Sequence, residues 1–148
     1  MIAKLLLEAT LDTLYMTFVS TFLAFIIGLG LAIILVITNK NGLKPNKAIY
    51  NALDIIVNTL RSFPFIILII VLFPFTKFIV GTSIGTTAAI VPLTIGSAPF
   101  IARLIENAMN EVDHGIIEAA LSYGATKTQI IFKVIFIEAL PSIINAIT

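Results

Sequence analysis

The sequence predicts an all-α integral membrane protein with three full transmembrane helices and the start of a fourth, forming one incomplete transmembrane domain across residues 1–148. Hydrophobic residues make up 59% of the chain, charged residues only 11%, and mean hydropathy is +1.10, far more apolar than an ordinary soluble domain. Charge-free runs extend from Thr13 to Asn39, from Ser62 to Thr76 and from Phe78 to Ala102, and a bilayer core asks for about 20 mostly apolar residues per helix. Helix-breaking or charged residues bound each run, so the runs read as separate spans.

The first residues, MIAKLLLEATLDTLYMTF, carry Glu8 and Asp12 and lack a small-residue cleavage site after a short apolar core. They predict a short amphipathic lead-in, with Leu5, Leu6 and Ala9 on one face, rather than a removable signal peptide. The first span covers roughly Leu14 to Thr38, and its Gly28 and Gly30 predict close approach of a neighbouring helix. It ends in ITNKNGLKPNK, where Asn39, Asn41, Gly42 and Pro45 break the helix and three lysines supply charge.

A second segment starts near Ala48 and passes through Asp54 and Arg61 into FPFIILIIVLFPF, interrupted by Pro64 and Pro74. Asp54 and Arg61, seven residues apart, share a face; the expectation is that they pair with each other or snorkel to the interface. The third span is rich in small residues, including Gly85, Ala88, Gly96 and Ala98, and contains Pro92 and Pro99. That composition suits a helix lying close against moving partners. The fourth segment begins near Val134; the fifteen residues to Thr148 make about 22 Å of helix, short of a core of about 30 Å, so the chain is expected to stop within the membrane.

Between the third and fourth segments lies EAALSYGATKTQ, Glu118 to Gln129. Ile116 to Tyr123 is apolar at helical spacing, Gly124 suits the left-handed position that closes a helix, and Thr126 with Gln129 fits a capping box for the next. Asp113 is placed to cap the first of these helices. A DNA-binding helix-turn-helix has a similar outline. Phosphate neutralisation needs clustered Lys and Arg, however, and from Ile105 to Ile130 the only basic side chain is Lys127, against Glu106, Glu111, Asp113 and Glu118. Nucleic acid is therefore not an expected partner.

Positive charge sets the orientation. Lys40, Lys44 and Lys47 lie in the first loop, Lys77 alone in the second, and Arg103, Lys127 and Lys133 around the third. The positive-inside rule puts loops one and three in the cytoplasm and the N-terminus outside.

Several chemistries are missing. No GxxxxGK[ST] phosphate loop occurs, so ATP hydrolysis is not expected of this chain. Cysteine is absent, which removes disulfides, thiol nucleophiles and cysteine metal sites. His114 has no partner at metal-ligand spacing, and the many Ser and Thr residues lack an adjacent His or Lys base. No catalytic residue, metal or cofactor is expected.

Glu118, Ala119, Ala120 and Gly124 resemble the EAA loop of permease subunits of ABC-type importers, whose pattern is Glu-Ala-Ala, three residues, then Gly. The family's later proline falls on Ile137, the nearest proline being Pro141. RSFPFIILIIVLFPFTKFIVGT and AAIVPLTIGSAPFIARLIENA extend the similarity toward the methionine-importer permeases, from about Asp12 to the end. The resemblance implies a type I importer fold with five spans. It also implies assembly with ABC ATPase subunits, a second permease copy and an external lipid-anchored binding protein, for import of D- or L-methionine across the bacterial cytoplasmic membrane. Loop residues about 110–130 would then form the ATPase-coupling site: Glu118, Ala119, Ala120, Gly124, Ala125 and Thr126. Import of another small amino acid or polar solute, or a role as a non-transporting membrane interaction partner, stands as the alternative; no substrate-contacting residue is assigned.

Overall fold

A computed structural model describes residues 2–147, and every regular element among them is helical. Thr148, the expected limit of the fourth segment, lies outside the described residues. The elements are α1 (Ile2–Thr38), α2 (Lys47–Ser62), α3 (Phe65–Val80), α4 (Thr86–Asn110), α5 (His114–Ser122), α6 (Lys127–Gln129), a π-helical stretch (Ile130–Ile135) and α7 (Phe136–Ile147).

α1 is one unbroken helix of 37 residues. The expected lead-in continues directly into the span, and its residues 2–15 are exposed. Further along, Ser20, Ala24, Gly28 and Ala32 recur every four residues and are all buried. Small residues at that spacing let two backbones approach, the usual basis of helix association in lipid. The partner is α4: a Cβ added at Gly28 would lie 2.9 Å from the Ala98 carbonyl oxygen and 2.9 Å from Ile101 Cγ2. Gly30 faces the other way, with nothing within 4 Å, so only one of the two glycines permits the approach. Thr94 Oγ1 lies 3.5 Å from the Ser20 carbonyl oxygen, and Val36 and Met109 meet in the same cluster. Positions thus advance together along both helices, so α1 and α4 run parallel.

The second segment is not one continuous helix. Pro64 has no N–H and disfavours helix at the residue before it, and Phe63 sits in extended backbone at φ −72°, ψ 132°. α2 and α3 are bent by 114° at this break. Both still progress toward the N-terminal end of α4: Tyr50 meets Glu106, Arg61 lies over Phe100, and Phe65 and Leu68 flank Gly96. Gly81, at φ +86°, closes α3 by donating its N–H to the Lys77 carbonyl, and Gly85, at φ +121°, precedes α4. The charge-free run 78–102 is therefore split by a turn, and its helix starts at Thr86.

The last segment begins earlier than Val134. Helix runs from Lys127 to Ile147 over 21 residues, about 31 Å at the standard rise, and so is long enough to cross a bilayer core. Within it the backbone widens to π geometry, Phe136 N–H donating to the Ile131 carbonyl. Bonding five residues apart lets Ile130, Ile131 and Ile135 all point inward. They close the core with Ala24, Ala32 and Val36 of α1 and Ala98, Ile105 and Met109 of α4.

Candidate functional site

α5 and the residues after it form a rigid elbow built from local signals. The Asp113 carboxylate accepts the Gly115 N–H at 2.6 Å, capping the start of α5. At the other end, Gly124 N–H donates to the Leu121 carbonyl at 2.9 Å and Ala125 N–H to the Ala120 carbonyl at 3.1 Å. That pair of bonds is a Schellman motif, which needs a left-handed residue at its centre; Gly124 supplies it at φ +79°. Thr126 then opens α6 with a complete capping box: Gln129 N–H donates to Thr126 Oγ1, and Thr126 N–H donates to Gln129 Oε1 at 2.9 Å. One helix ends and the next begins with only Tyr123 to Thr126 between them.

The six sequence-predicted site residues divide between two faces. Ala120 and Ala125 turn inward with Ile117 and pack on the core cluster, so Ala120 anchors α5 to its own protein. Glu118, Ala119, Gly124 and Thr126 are exposed. Ile116, Ala119 and Tyr123 share the outer face at helical spacing, Tyr123 being 92% exposed. An apolar, aromatic-tipped helix face of this kind suits docking into a groove. His114, at the first turn of α5, is exposed.

The elbow sits against the first loop. Lys127 Nζ donates to the Leu43 carbonyl at 2.8 Å, and a cavity of about 250 Å³ lies between residues 39–43, the end of α4 and α5. Loops one and three therefore share one end of the molecule.

A second polar cluster was not anticipated. Arg103, on α4, donates through Nη1 to Glu106 at 2.6 Å and through Nη2 to Asp54 of α2, with Asn58 Oδ1 at 3.1 Å from the same Nη2. Tyr50 Oη donates to Glu106 at 3.2 Å. Glu106 is 2% exposed, a burial that only a cation and hydrogen bonds make tolerable. Asp54 pairs with Arg103 and not with Arg61, whose guanidinium instead lies 5.9 Å from the centre of the Phe100 ring. Arg103 and Glu106, one helical turn apart in an apolar stretch, were the available signal.

The family model for the binding-protein-dependent transport system inner membrane component matches residues 24–148. The chain belongs to that family. Among its members, this permease chain is 51% identical over 144 residues to a D-methionine transport system permease protein of Escherichia coli (strain K12), covering 97% of this chain and 66% of that protein. It is 54% identical over 146 residues to a probable D-methionine transport system permease protein of Vibrio cholerae, covering 99% and 65%. The chain thus spans slightly under two thirds of the length of these relatives. A solved inward-facing conformation of the MetNI methionine ABC transporter superposes with a TM-score of 0.94 at 50% identity, over 98% of this chain and 67% of that one. An amino acid ABC transporter structure at 23% identity, TM-score 0.69, shares the fold. The all-helical fold is that of a type I ABC-importer permease, and the permease is a multi-pass inner membrane protein.

Proposed function

We propose that this chain is permease sequence of an ATP-driven importer of D- or L-methionine, working as two permease copies with two separate ATPase subunits and an extracytoplasmic binding protein. The observation that carries this reading is α5: an exposed apolar helix face, capped at both ends, on a permease about 51% identical to D-methionine transport permeases. In the proposed topology the N-terminus faces outward and α5 faces the cytoplasm. Support comes from the lysines of the first loop and from the contact of that loop with Lys127.

Closure of the ATPase dimer on ATP would move α5, and the Gly124 elbow would pass that movement into the membrane segment that follows. Ala119, Tyr123 and Glu118 are assigned to the ATPase contact; Gly124, Ala125 and Thr126 set the lever angle; Ala120 holds the helix to the permease body.

The test uses the full-length gene product, co-expressed with its ATPase and binding protein in cells lacking their own methionine importer. Gly124→Val forces a β-branched residue into the left-handed region at a local cost of about 1–2 kcal/mol and is expected to abolish uptake of radiolabelled methionine. Tyr123→Cys should cross-link to the ATPase. Normal uptake by Gly124→Val, with no cross-link from position 123, would overturn the coupling assignment; uptake of other solutes with methionine excluded would overturn the substrate.

A further inference from the structure

The break between α2 and α3 opens a cleft of about 680 Å³ bordered by Arg61, Ser62, Phe65, Gly96 and Phe100. That volume lies within the range of roughly 300–1,000 Å³ usual for small-molecule sites. The cleft is flanked by mid-helix residues of α4, Gly96 and Phe100, within a segment apolar and long enough to span the membrane.

Its chemistry is uneven. Arg103 is matched by two carboxylates, whereas Arg61, the cation on the cleft, has no carboxylate partner among the described residues and rests over the Phe100 ring. A cation set beside a membrane-spanning helix is retained where it meets a partner or a pathway. Pro64 caps the start of α3 with its carbonyl alone, which accepts the Ile67 and Leu68 N–H groups; the N–H groups of Phe65 and Ile66 precede the first intrahelical bond and lie beside the same cleft. Across from them the wall is aromatic and apolar. Gly96 lets the Phe65 ring lie close against α4 as one wall of the cleft: a Cβ there would sit 3.2 Å from that ring.

Resting on the methionine-import reading, we propose that this cleft is a transient substrate subsite, in which the Arg61 guanidinium holds the α-carboxylate of an amino acid and the Phe65 and Phe100 rings receive its thioether side chain. Guanidinium and carboxylate match in a two-point fork, and sulfur packs favourably against aromatic rings. The broken helix places both features at one point of the crossing.

The experiment is chemical protection in the purified full-length transporter with its ATPase, reconstituted in phosphatidylcholine nanodiscs. Phenylglyoxal modification of Arg61 is followed by peptide mass spectrometry. Saturating L-methionine should slow modification about tenfold. L-methioninol, which keeps the thioether and lacks the carboxylate, should not. Arg61→Gln should raise the KM for uptake by about tenfold or more, with Arg61→Lys intermediate. No protection by methionine, or equal protection by methioninol, overturns the subsite. Protection only when phosphatidylglycerol is added would assign Arg61 to a lipid phosphate and overturn it as well. A wild-type transporter that moves no methionine would instead refute the parent reading.

Discussion

Replacing Arg103 with Leu removes the one cation shared by Asp54 and Glu106, and the two acids should respond unequally. The Asp54 side chain is 33% exposed and keeps Asn58 as a hydrogen-bond donor at 3.2 Å. Its loss is that of a partly exposed ion pair, up to about 1 kcal/mol. Glu106, with 2% side-chain exposure, retains the Tyr50 hydroxyl as its one side-chain donor among the described residues. Removing one partner of a buried pair costs about 3–5 kcal/mol, because the remaining charge is left without compensation; Glu106 therefore dominates the expected loss. If that reasoning holds, adding Glu106→Leu should restore much of the stability, since exchanging a buried pair for apolar side chains is often close to neutral. The assay is a double-mutant cycle on the full-length protein, read from unfolding by sodium dodecyl sulfate in mixed micelles. A coupling energy of at least about 2 kcal/mol is expected. Additive losses, or an Arg103→Leu variant within about 0.5 kcal/mol of the parent, would refute the view that the cation exists to make Glu106 tolerable.

The glycines of α1 give a paired test: Gly28→Val should destabilise by about 1–3 kcal/mol through overpacking against Ala98 and Ile101, while Gly30→Ala should be neutral or slightly stabilising. Equal losses in the same micelle assay would disprove the packing register. Topology can be read without background because the chain has no cysteine: with an impermeant thiol reagent on intact cells, Thr82→Cys should label and Asn41→Cys and Thr126→Cys should not. The reverse pattern would invert the proposed orientation.

Features legible in the sequence were those written over a few adjacent residues. The Asp113 cap, the left-handed Gly124 and the Thr126–Gln129 capping box involve partners two to five residues apart, and all are present. The apolar runs located the spans because length and hydropathy suffice. What escaped needed knowledge of which elements meet. Asp54 and Arg61 share a helix face, yet the nearer solution for Asp54 is a residue 49 positions away. Nothing in the composition separates Gly28 from Gly30 until α4 is placed, or Ala119 from Ala120 until α5 is docked. The 114° bend at Pro64 and the start of the last helix at Lys127 were hidden because proline and polar residues mark interruptions without giving angles.

The parallel pairing of α1 with α4 also bears on how the protein is made. Adjacent membrane helices can pair as a hairpin when the second follows the first out of the ribosome. Here Ser20 meets Thr94, 74 residues later. At 5–20 residues per second, translation leaves an interval of about 4–15 s in which the stripe from Ser20 to Ala32 waits without its α4 partner. A small-residue seam admits any second helix that can come close, so through that wait the face kept for α4 is open to pairing with a wrong neighbour.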